Sequence, residues 1–166
     1  MKKLLIIFCT IFLLLQTAKA QTTEIWVVRH AEKEKTDPQD KNPDLSDEGR
    51  NRAGDLAKYL RKENIDVAFS TPYKRTHQTL DSLVISKVIN YTDIKALVDS
   101  VKTNYPGKKV IIAGHSNTVL EIIEAFGAKR PREELTDDDY DFIFRLTVKG
   151  DKAKVKMDQY GVPHHL

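Results

Sequence analysis

Four basic residues stand at or just after the ends of short apolar runs. Arg29 and His30 follow EIWVV, Arg75 lies a few residues after DVAFS, and His115 follows VIIAG. If these runs are parallel strands of one sheet, the residues at their carboxyl ends lie at one edge of it. Four basic side chains there repel one another unless a dense negative charge lies between them. Phosphate fits, because arginine offers it a planar fork and a helix N-terminus offers it free N–H groups.

The types of these residues predict phosphoryl transfer through a histidine. A neutral imidazole can attack phosphorus and hold the phosphoryl group as phosphohistidine, which splits one transfer into two steps. The remaining cations would stabilise the charge on the equatorial oxygens. This chemistry needs no metal or other cofactor, and the sequence has no histidine-rich or carboxylate cluster at ligand spacing. Taken singly, such a histidine is usually a structural hydrogen bonder and such an arginine is usually solvated, so the prediction depends on the four residues together.

The N-terminal residues have the pattern of a secretory signal peptide. Two lysines precede the apolar run Leu4–Leu15, and the AKA that follows fits a small-x-small cleavage site. The run is shorter than the ~18–20 residues that a membrane-spanning helix needs. We therefore expect a signal peptide at residues 1–20, a domain at residues 21–166, and a periplasmic or secreted protein with no stable membrane insertion after cleavage. An uncleaved N-terminal anchor is the alternative.

Removal of residues 1–20 changes what the composition implies. The segment holds three of the 27 basic residues and no acid, which leaves 24 basic residues against 24 acidic ones. A chain with equal numbers of basic and acidic residues gives no reason to expect nucleic acid as a partner. We therefore expect a small-molecule or phosphorylated substrate. The single cysteine, Cys9, also lies in this segment. The remaining chain therefore has no disulfide, no thiolate nucleophile and no cysteine metal site.

Short apolar runs alternate with amphipathic segments along the rest of the chain. This alternation predicts an α/β fold, a three-layer α/β/α sandwich whose mostly parallel sheet has an antiparallel C-terminal hairpin at one edge. The predicted strands are 24–28, 66–70, a weak one around 86–91, 108–114, and a hairpin that turns at 149–151. The predicted helices are 46–63, 72–84 with Pro72 at the first helical position, 93–105 and 117–127.

Four segments in this order resemble the histidine phosphatase superfamily, in its phosphoglycerate mutase-like branch. VVRHAEK resembles the family's nucleophile motif, with Ala31 in place of the usual glycine, and LSDEGRNRA resembles its next helix start, with Arg52 in place of glutamine. STPYKRTHQT and VIIAGHSNT resemble the segments of its second arginine and second histidine. The resemblance covers nearly all of residues 21–166 and is typical of a small exported member.

The resemblance implies a role for each of the four basic residues. His30 is the nucleophile that becomes phosphorylated, and Arg29, Arg75 and His115 bind the phosphate and take part in catalysis. We expect an exported, metal-independent phosphatase that hydrolyses phosphomonoesters or related phosphoryl compounds through phosphohistidine. The alternatives are a catalytically weak or inactive phosphate-binding or interaction module of the same fold and, ranked lower, a phosphomutase.

The sequence does not assign a general acid. We interpret Asp81, Asp93 and Asp99 as solvated residues or helix caps, Glu32 as a partner of Lys33 or a supporting contact, Asp141 as a further candidate, and DDDYD at 137–141 as the cap of a turn. Only 39 residues separate Arg75 from His115, which leaves little chain for a specificity lid. An open pocket without an evident acid favours good leaving groups such as aryl phosphates or phosphoramidates.

Overall fold

Six strands form one sheet in the part of the chain that the computed structural model describes, residues 21–163. The strands are β1 (Thr22–Arg29), β2 (Val67–Ser70), β3 (Val88–Asn90), β4 (Lys109–Gly114), β5 (Phe142–Lys149) and β6 (Lys152–Gln159). Their order in the sheet is β3-β2-β4-β1-β5-β6. The predicted signal peptide at residues 1–20 lies outside the described residues, as do residues 164–166.

The strand pairing confirms a mostly parallel sheet with an antiparallel hairpin at one edge. β1 pairs with β4, and β2 pairs with both β4 and β3, all in parallel. β5 runs antiparallel to β1, and β6 antiparallel to β5. The register places Arg29 beside Gly114 and Ser70 beside Ala113. The chain therefore leaves three neighbouring strands at the same level, which brings the residues after them to one edge.

Four helices cover the two faces of the sheet and confirm the three-layer sandwich. They are α1 (Asp47–Leu60), α2 (Lys74–Leu80), α3 (Ile94–Asn104) and α4 (Ser116–Ala125). Side chains alternate across β1, so Ile25 and Val27 belong to the core under α3 and α4, whereas Trp26 and Val28 belong to the core under α1. No helix between residues 21 and 163 is long and apolar enough to cross a lipid bilayer.

The helix after β2 is shorter than predicted. It begins at Lys74 and ends at Leu80, so Pro72 lies before it and is not its first residue. Tyr73 has an extended backbone, with φ −109° and ψ 143°, and the Oγ1 of Thr76 donates to its carbonyl oxygen at 2.8 Å. The extended residue delays the helix and keeps the segment after β2 at the edge of the sheet.

Candidate active site

A cavity of about 580 Å³ lies at the edge where the parallel strands end. It is lined by Arg29, His30, Lys33, Lys35, Tyr73, Arg75, His115, Ser116, Asn117, Asp137 and Tyr140. The structure thus brings all four basic residues chosen from the sequence into one cavity. Residues 21–163 contain no group of three or more histidine, cysteine or acidic residues that could hold a metal ion.

His30 follows the last residue of β1 and is only 5% exposed. Its Nδ1 lies 2.8 Å from the carbonyl oxygen of Ala31. Because a carbonyl oxygen only accepts, Nδ1 carries the proton of the neutral ring and Nε2 keeps its lone pair. Burial is the main cause that lowers the pKa of His30 to about 3, and the neighbouring arginines add to it. The ring is therefore neutral near pH 7, with a basic nitrogen for attack.

His115 lies across the cavity from the nucleophile candidate. The ring centroids of His30 and His115 are 5.3 Å apart. The Nε2 of His115 lies 2.9 Å from the Oγ1 of Thr71, and its Nδ1 lies 3.5 Å from the Nη2 of Arg75. Burial is the main cause that lowers the pKa of His115 to about 4, and Arg75 and Arg29 lower it further. Since arginine only donates, Nδ1 is the acceptor in the neutral ring and Nε2 donates to Thr71.

Arg29 is held by the segment that precedes β5. Its Nη1 donates to the carbonyl oxygens of Thr136 and Asp137 at 2.7 Å and 3.0 Å. Its guanidinium carbon lies 4.0 Å from the centre of the Tyr140 ring. These contacts fix the orientation of a side chain that is 5% exposed. A fixed guanidinium loses little further freedom when it binds an anion.

Arg75 approaches the cavity from α2. Its guanidinium carbon lies 4.4 Å from the centre of the Tyr73 ring, and burial lowers its pKa. The Nε atoms of Arg75 and Arg29 are buried and have no hydrogen-bond partner within residues 21–163. Buried donors without a partner are rare in folded proteins and are found at functional sites. Both guanidinium groups therefore keep donor capacity for a bound anion.

The residue after the nucleophile candidate is anchored to α2. Ala31 is fully buried, and its backbone N–H donates to the Oγ1 of Thr79 at 2.9 Å. That hydroxyl donates to the carbonyl oxygen of Arg75 at 2.7 Å. One threonine thus connects the backbone that orients His30 to the backbone that carries the second arginine. The methyl group of Ala31, which replaces the glycine of the nucleophile motif, is fully buried at this position.

Of the two roles that the sequence left open for Glu32, the structure shows the supporting contact and not the pair with Lys33. Its side chain is buried, and its Oε1 accepts from the Nε of Arg52 at 2.7 Å. Arg52 is also buried, and its Nη1 donates to the carbonyl oxygens of Tyr160 and Val162 at 3.3 Å and 3.1 Å. The acid turns toward α1 because a buried carboxylate needs a buried cation. Arg52, which replaces the glutamine of the motif, supplies it.

The start of α1 packs tightly against the chain after the nucleophile candidate. Ser46 caps the helix, since its Oγ accepts from the N–H of Gly49 at 3.1 Å. The backbone N–H of Ser46 donates to the carbonyl oxygen of Glu32 at 3.0 Å. A Cβ atom at Gly49 would lie 2.0 Å from that same oxygen. Only glycine permits this approach.

The acids weighed from the sequence all lie outside the cavity. Asp93 caps α3 by accepting from the N–H of Ala96 at 2.7 Å, and Asp99 pairs with Lys95 at 2.6 Å. Asp81 ends α2. Asp141 is buried, and its Oδ2 accepts from Gln159 at 2.8 Å, while Glu32 pairs as described above. None of them lines the cavity.

The acidic run before β5 contributes to the cavity in a way that the sequence analysis missed. Asp139 caps the turn as predicted, because its Oδ2 accepts from the N–H of Thr136 at 2.6 Å. Asp137 instead lines the cavity, 3.9 Å from the Nη2 of Arg29, and Tyr140 lines it beside the same arginine. The sequence held a usable signal. An antiparallel strand paired with β1 begins at the edge where β1 ends, so the residues before β5 belong to that edge.

Known proteins match this chain in sequence, over part of its length, and in fold. The family model of the histidine phosphatase superfamily (branch 1) matches residues 25–97. Phosphoserine phosphatase 1 from Hydrogenobacter thermophilus is 40% identical over 74 residues, which are 42% of this chain and 34% of that enzyme. The chain therefore spans about a third of the length of this curated relative.

Solved structures share the fold over most of the chain. The protein histidine phosphatase SixA, in complex with tungstate, has a TM-score of 0.67 at 17% identity and covers 82% of this chain and 96% of its own. YhfR from Bacillus stearothermophilus has a TM-score of 0.66 at 15% identity and covers 86% of this chain and 98% of its own. At these identities the likeness concerns the fold.

Proposed function

This chain belongs to the histidine phosphatase superfamily, and from that premise we propose that it is a phosphatase that passes a phosphoryl group through His30 to water. The observation that carries the proposal is the contact between Nδ1 of His30 and the carbonyl oxygen of Ala31, at 2.8 Å. It holds the proton on Nδ1, so the lone pair on Nε2 is available for attack. The lowered pKa of His30 keeps the ring neutral at pH 7.

The reaction proceeds in two displacements at phosphorus. In the first, Nε2 of His30 forms a bond to phosphorus while the bond from phosphorus to the leaving group breaks, and the leaving group departs with the electron pair. In the second, a water oxygen attacks phosphorus, the P–N bond breaks, and neutral His30 is regenerated as phosphate and a proton are released. No oxidant, reductant or further reactant is needed.

The two arginines act directly on the phosphoryl oxygens in this proposal, and His115 lines the cavity opposite His30. Arg29 and Arg75 donate N–H groups to the equatorial oxygens, where charge accumulates in the transition state. His115 faces the same group across the cavity, 5.3 Å from His30 between ring centroids. Since side chains supply the positive charge, we propose that the reaction is metal-independent. Turnover that is unchanged in excess EDTA supports this, and loss that a divalent ion restores contradicts it.

We propose phosphomonoesters and phosphoramidates as the substrate class, carried by small molecules or by phosphorylated protein. The 40% identity with a phosphoserine phosphatase over 74 residues supports a monoester. We also propose that the protein is exported, on the pattern of residues 1–20. Recovery of a chain that begins at Gln21 from the periplasm or medium tests this, and an intact N-terminus in the cytoplasm contradicts it.

The decisive experiment traps the intermediate. The protein is mixed with a ³²P-labelled aryl phosphate and quenched, and the adduct is tested for the acid lability and alkali stability of phosphohistidine. We expect label on the wild-type protein and none on His30→Ala. His77→Ala is the matched control, because His77 lies outside the cavity and pairs with Asn90 at 2.7 Å. Label that survives on His30→Ala would contradict the proposal.

A further inference from the structure

Two lysines line the cavity without an acidic partner. Lys33 and Lys35 both contribute to its wall, and neither forms an ion pair with any acid in residues 21–163. Glu32, which precedes them, is already paired with Arg52. Their positive charge is therefore uncompensated within the described part of the chain.

The local backbone explains why both lysines reach the same cavity. The segment 32–34 pairs with 44–46, since the N–H of Glu34 donates to the carbonyl oxygen of Asp44 at 2.9 Å and Lys33 bridges Leu45. Alternate side chains of an extended segment lie on the same side of it. Lys33 and Lys35 are therefore presented together.

The charge of the cavity exceeds what one phosphoryl group needs. Arg29, Arg75, Lys33 and Lys35 are cationic, and Asp137 is the one carboxylate among the residues of 21–163 that line the wall, which leaves an excess of three positive charges. A phosphoryl monoester carries about −1.5 to −2 at pH 7. The two arginines are sufficient for that group. The two lysines therefore remain for a further negative charge on the substrate.

A neighbouring recess limits how far that negative charge can extend. The recess is about 500 Å³ in volume and shares Lys33, Lys35 and Tyr140 with the cavity. Beyond them its wall carries acids, among them Glu34, Glu48 and Asp138. Like charges repel, so a long polyanion is disfavoured in this direction. The anion-binding region ends at the lysines.

We propose that the natural substrate carries a second anionic group, a carboxylate or a second phosphate, a few bonds from the transferred phosphoryl group, and that Lys33 and Lys35 bind it. This inference rests on the proposed phosphatase function and adds the substrate class to it. Exposed charge contacts are individually weak, so each lysine contributes roughly two- to fivefold in affinity or kcat/KM. The pair then gives about tenfold discrimination.

The test compares two substrates that differ in one charge. 3-Carboxyphenyl phosphate and 3-carbamoylphenyl phosphate have nearly the same shape and similar leaving phenols. We expect kcat/KM to be about tenfold higher for the carboxylate at low ionic strength, and the ratio to fall as salt screens the contact. Lys33→Gln/Lys35→Gln should bring the ratio close to one. Lys154→Gln, which removes an exposed charge on β6 outside the cavity, should keep the wild-type ratio.

Two results would overturn the inference. One is a wild-type ratio near one, and the other is a ratio that the double substitution leaves unchanged. A phosphotyrosine peptide flanked by glutamates provides a third test against its glutamine-flanked counterpart. If the ratio of kcat/KM for the two peptides exceeds the ratio for the two phenyl phosphates, negative charge beyond Lys33 and Lys35 is also bound. That result would contradict an anion site that ends at these lysines.

A binding measurement separates this inference from the proposed function. The phosphonate analogues of the two substrates cannot be hydrolysed, and calorimetry measures their affinities directly. A carboxylate preference that depends on the lysines, in a protein without turnover, would support the inference and reject the phosphatase. Turnover without any such preference would support the phosphatase and reject the inference.

Discussion

The Nε of Arg52 lies 2.7 Å from the Oε1 of Glu32, and both side chains are buried. This ion pair joins the first turns of α1 to the residue two positions after the nucleophile candidate. The same guanidinium donates to the carbonyl oxygens of Tyr160 and Val162. Three distant parts of the chain therefore depend on one side chain.

We expect Arg52→Ala to lower the free energy of unfolding by about 3–5 kcal/mol, because it leaves the carboxylate of Glu32 buried without its cation. Urea denaturation measures the change. Arg50→Ala is the matched control, since Arg50 lies in the same helix with an exposed partner, Asp47, and should change stability by less than about 1 kcal/mol. A loss below 1 kcal/mol for Arg52→Ala would show that the pair contributes little.

Arg75→Lys tests the geometry of the phosphate site. Lysine keeps the charge of Arg75 but loses the planar fork, so we expect kcat to fall by roughly 10²–10³-fold with the fold intact. Steady-state kinetics with an aryl phosphate measure it. Arg130→Lys, on a half-buried arginine outside the cavity that pairs with Glu124, should leave the rate unchanged. A rate near wild type for Arg75→Lys would place Arg75 outside the phosphate site.

The pH profile of kcat/KM should have an unusually acidic lower limb. The nucleophile must be neutral, and the pKa of His30 is lowered to about 3. Activity should therefore hold down to about pH 5 and fall only below about pH 4, after correction for the substrate's own ionisation near pH 6. A limb centred near 6.5 would mean that His30 behaves as an ordinary solvated histidine.

The same shifts predict a loss of stability in acid. The unfolded chain takes up protons on His30 and His115 as the pH falls below about 6.5, whereas the folded chain does so only near their lowered pKa values of about 3 and 4. In that window the unfolded state binds more protons, so stability rises with pH and is lost as the pH falls. His115→Gln should flatten the dependence, and His77→Gln should not.

Asp137→Asn tests whether the cavity supplies a proton to the leaving group. Asp137 is the one carboxylate within residues 21–163 that lines the cavity. We expect the substitution to change kcat/KM by less than about fivefold for alkyl and aryl phosphates alike, because the side chain of Asp137 is fully exposed and acts as a countercharge beside Arg29. A leaving-group series of graded pKa measures the slope. Asp138→Asn is the adjacent control, and a loss confined to alkyl phosphates in Asp137→Asn alone would assign the proton to Asp137.

The sequence predicted those parts of the site that follow from strand ends. Arg29, His30 and His115 directly follow or end β1 and β4, so parallel pairing alone places them together. The predicted start of α2 at Pro72 was wrong. The backbone of Tyr73 is extended, and the hydroxyl of Thr76 donates to its carbonyl oxygen, so the helix begins only at Lys74.

Contacts between distant parts of the chain were the ones that sequence patterns did not predict. Arg52 and Glu32 are brought together by the packing of α1. They are 20 residues apart in the sequence, and no local pattern predicts their ion pair. Asp137 reaches the cavity because β5 starts beside the end of β1. Its acidic neighbours made the whole run resemble a simple turn cap, although only Asp139 caps the turn.

The position of β1 between β4 and β5 has a consequence for the order in which the domain is assembled. Arg29 donates a hydrogen bond to the carbonyl oxygen of Thr136, 107 residues further along the chain. While the ribosome is still translating the segment before β5, β1 can pair only with β4, and Arg29 lacks its hydrogen bond to Thr136. An N-terminal fragment that ends before Thr136 therefore carries His30 and both arginines but lacks the two carbonyl oxygens that orient Arg29. Arg29 is therefore not held in its final orientation until about the last fifth of the domain has been synthesised and folded.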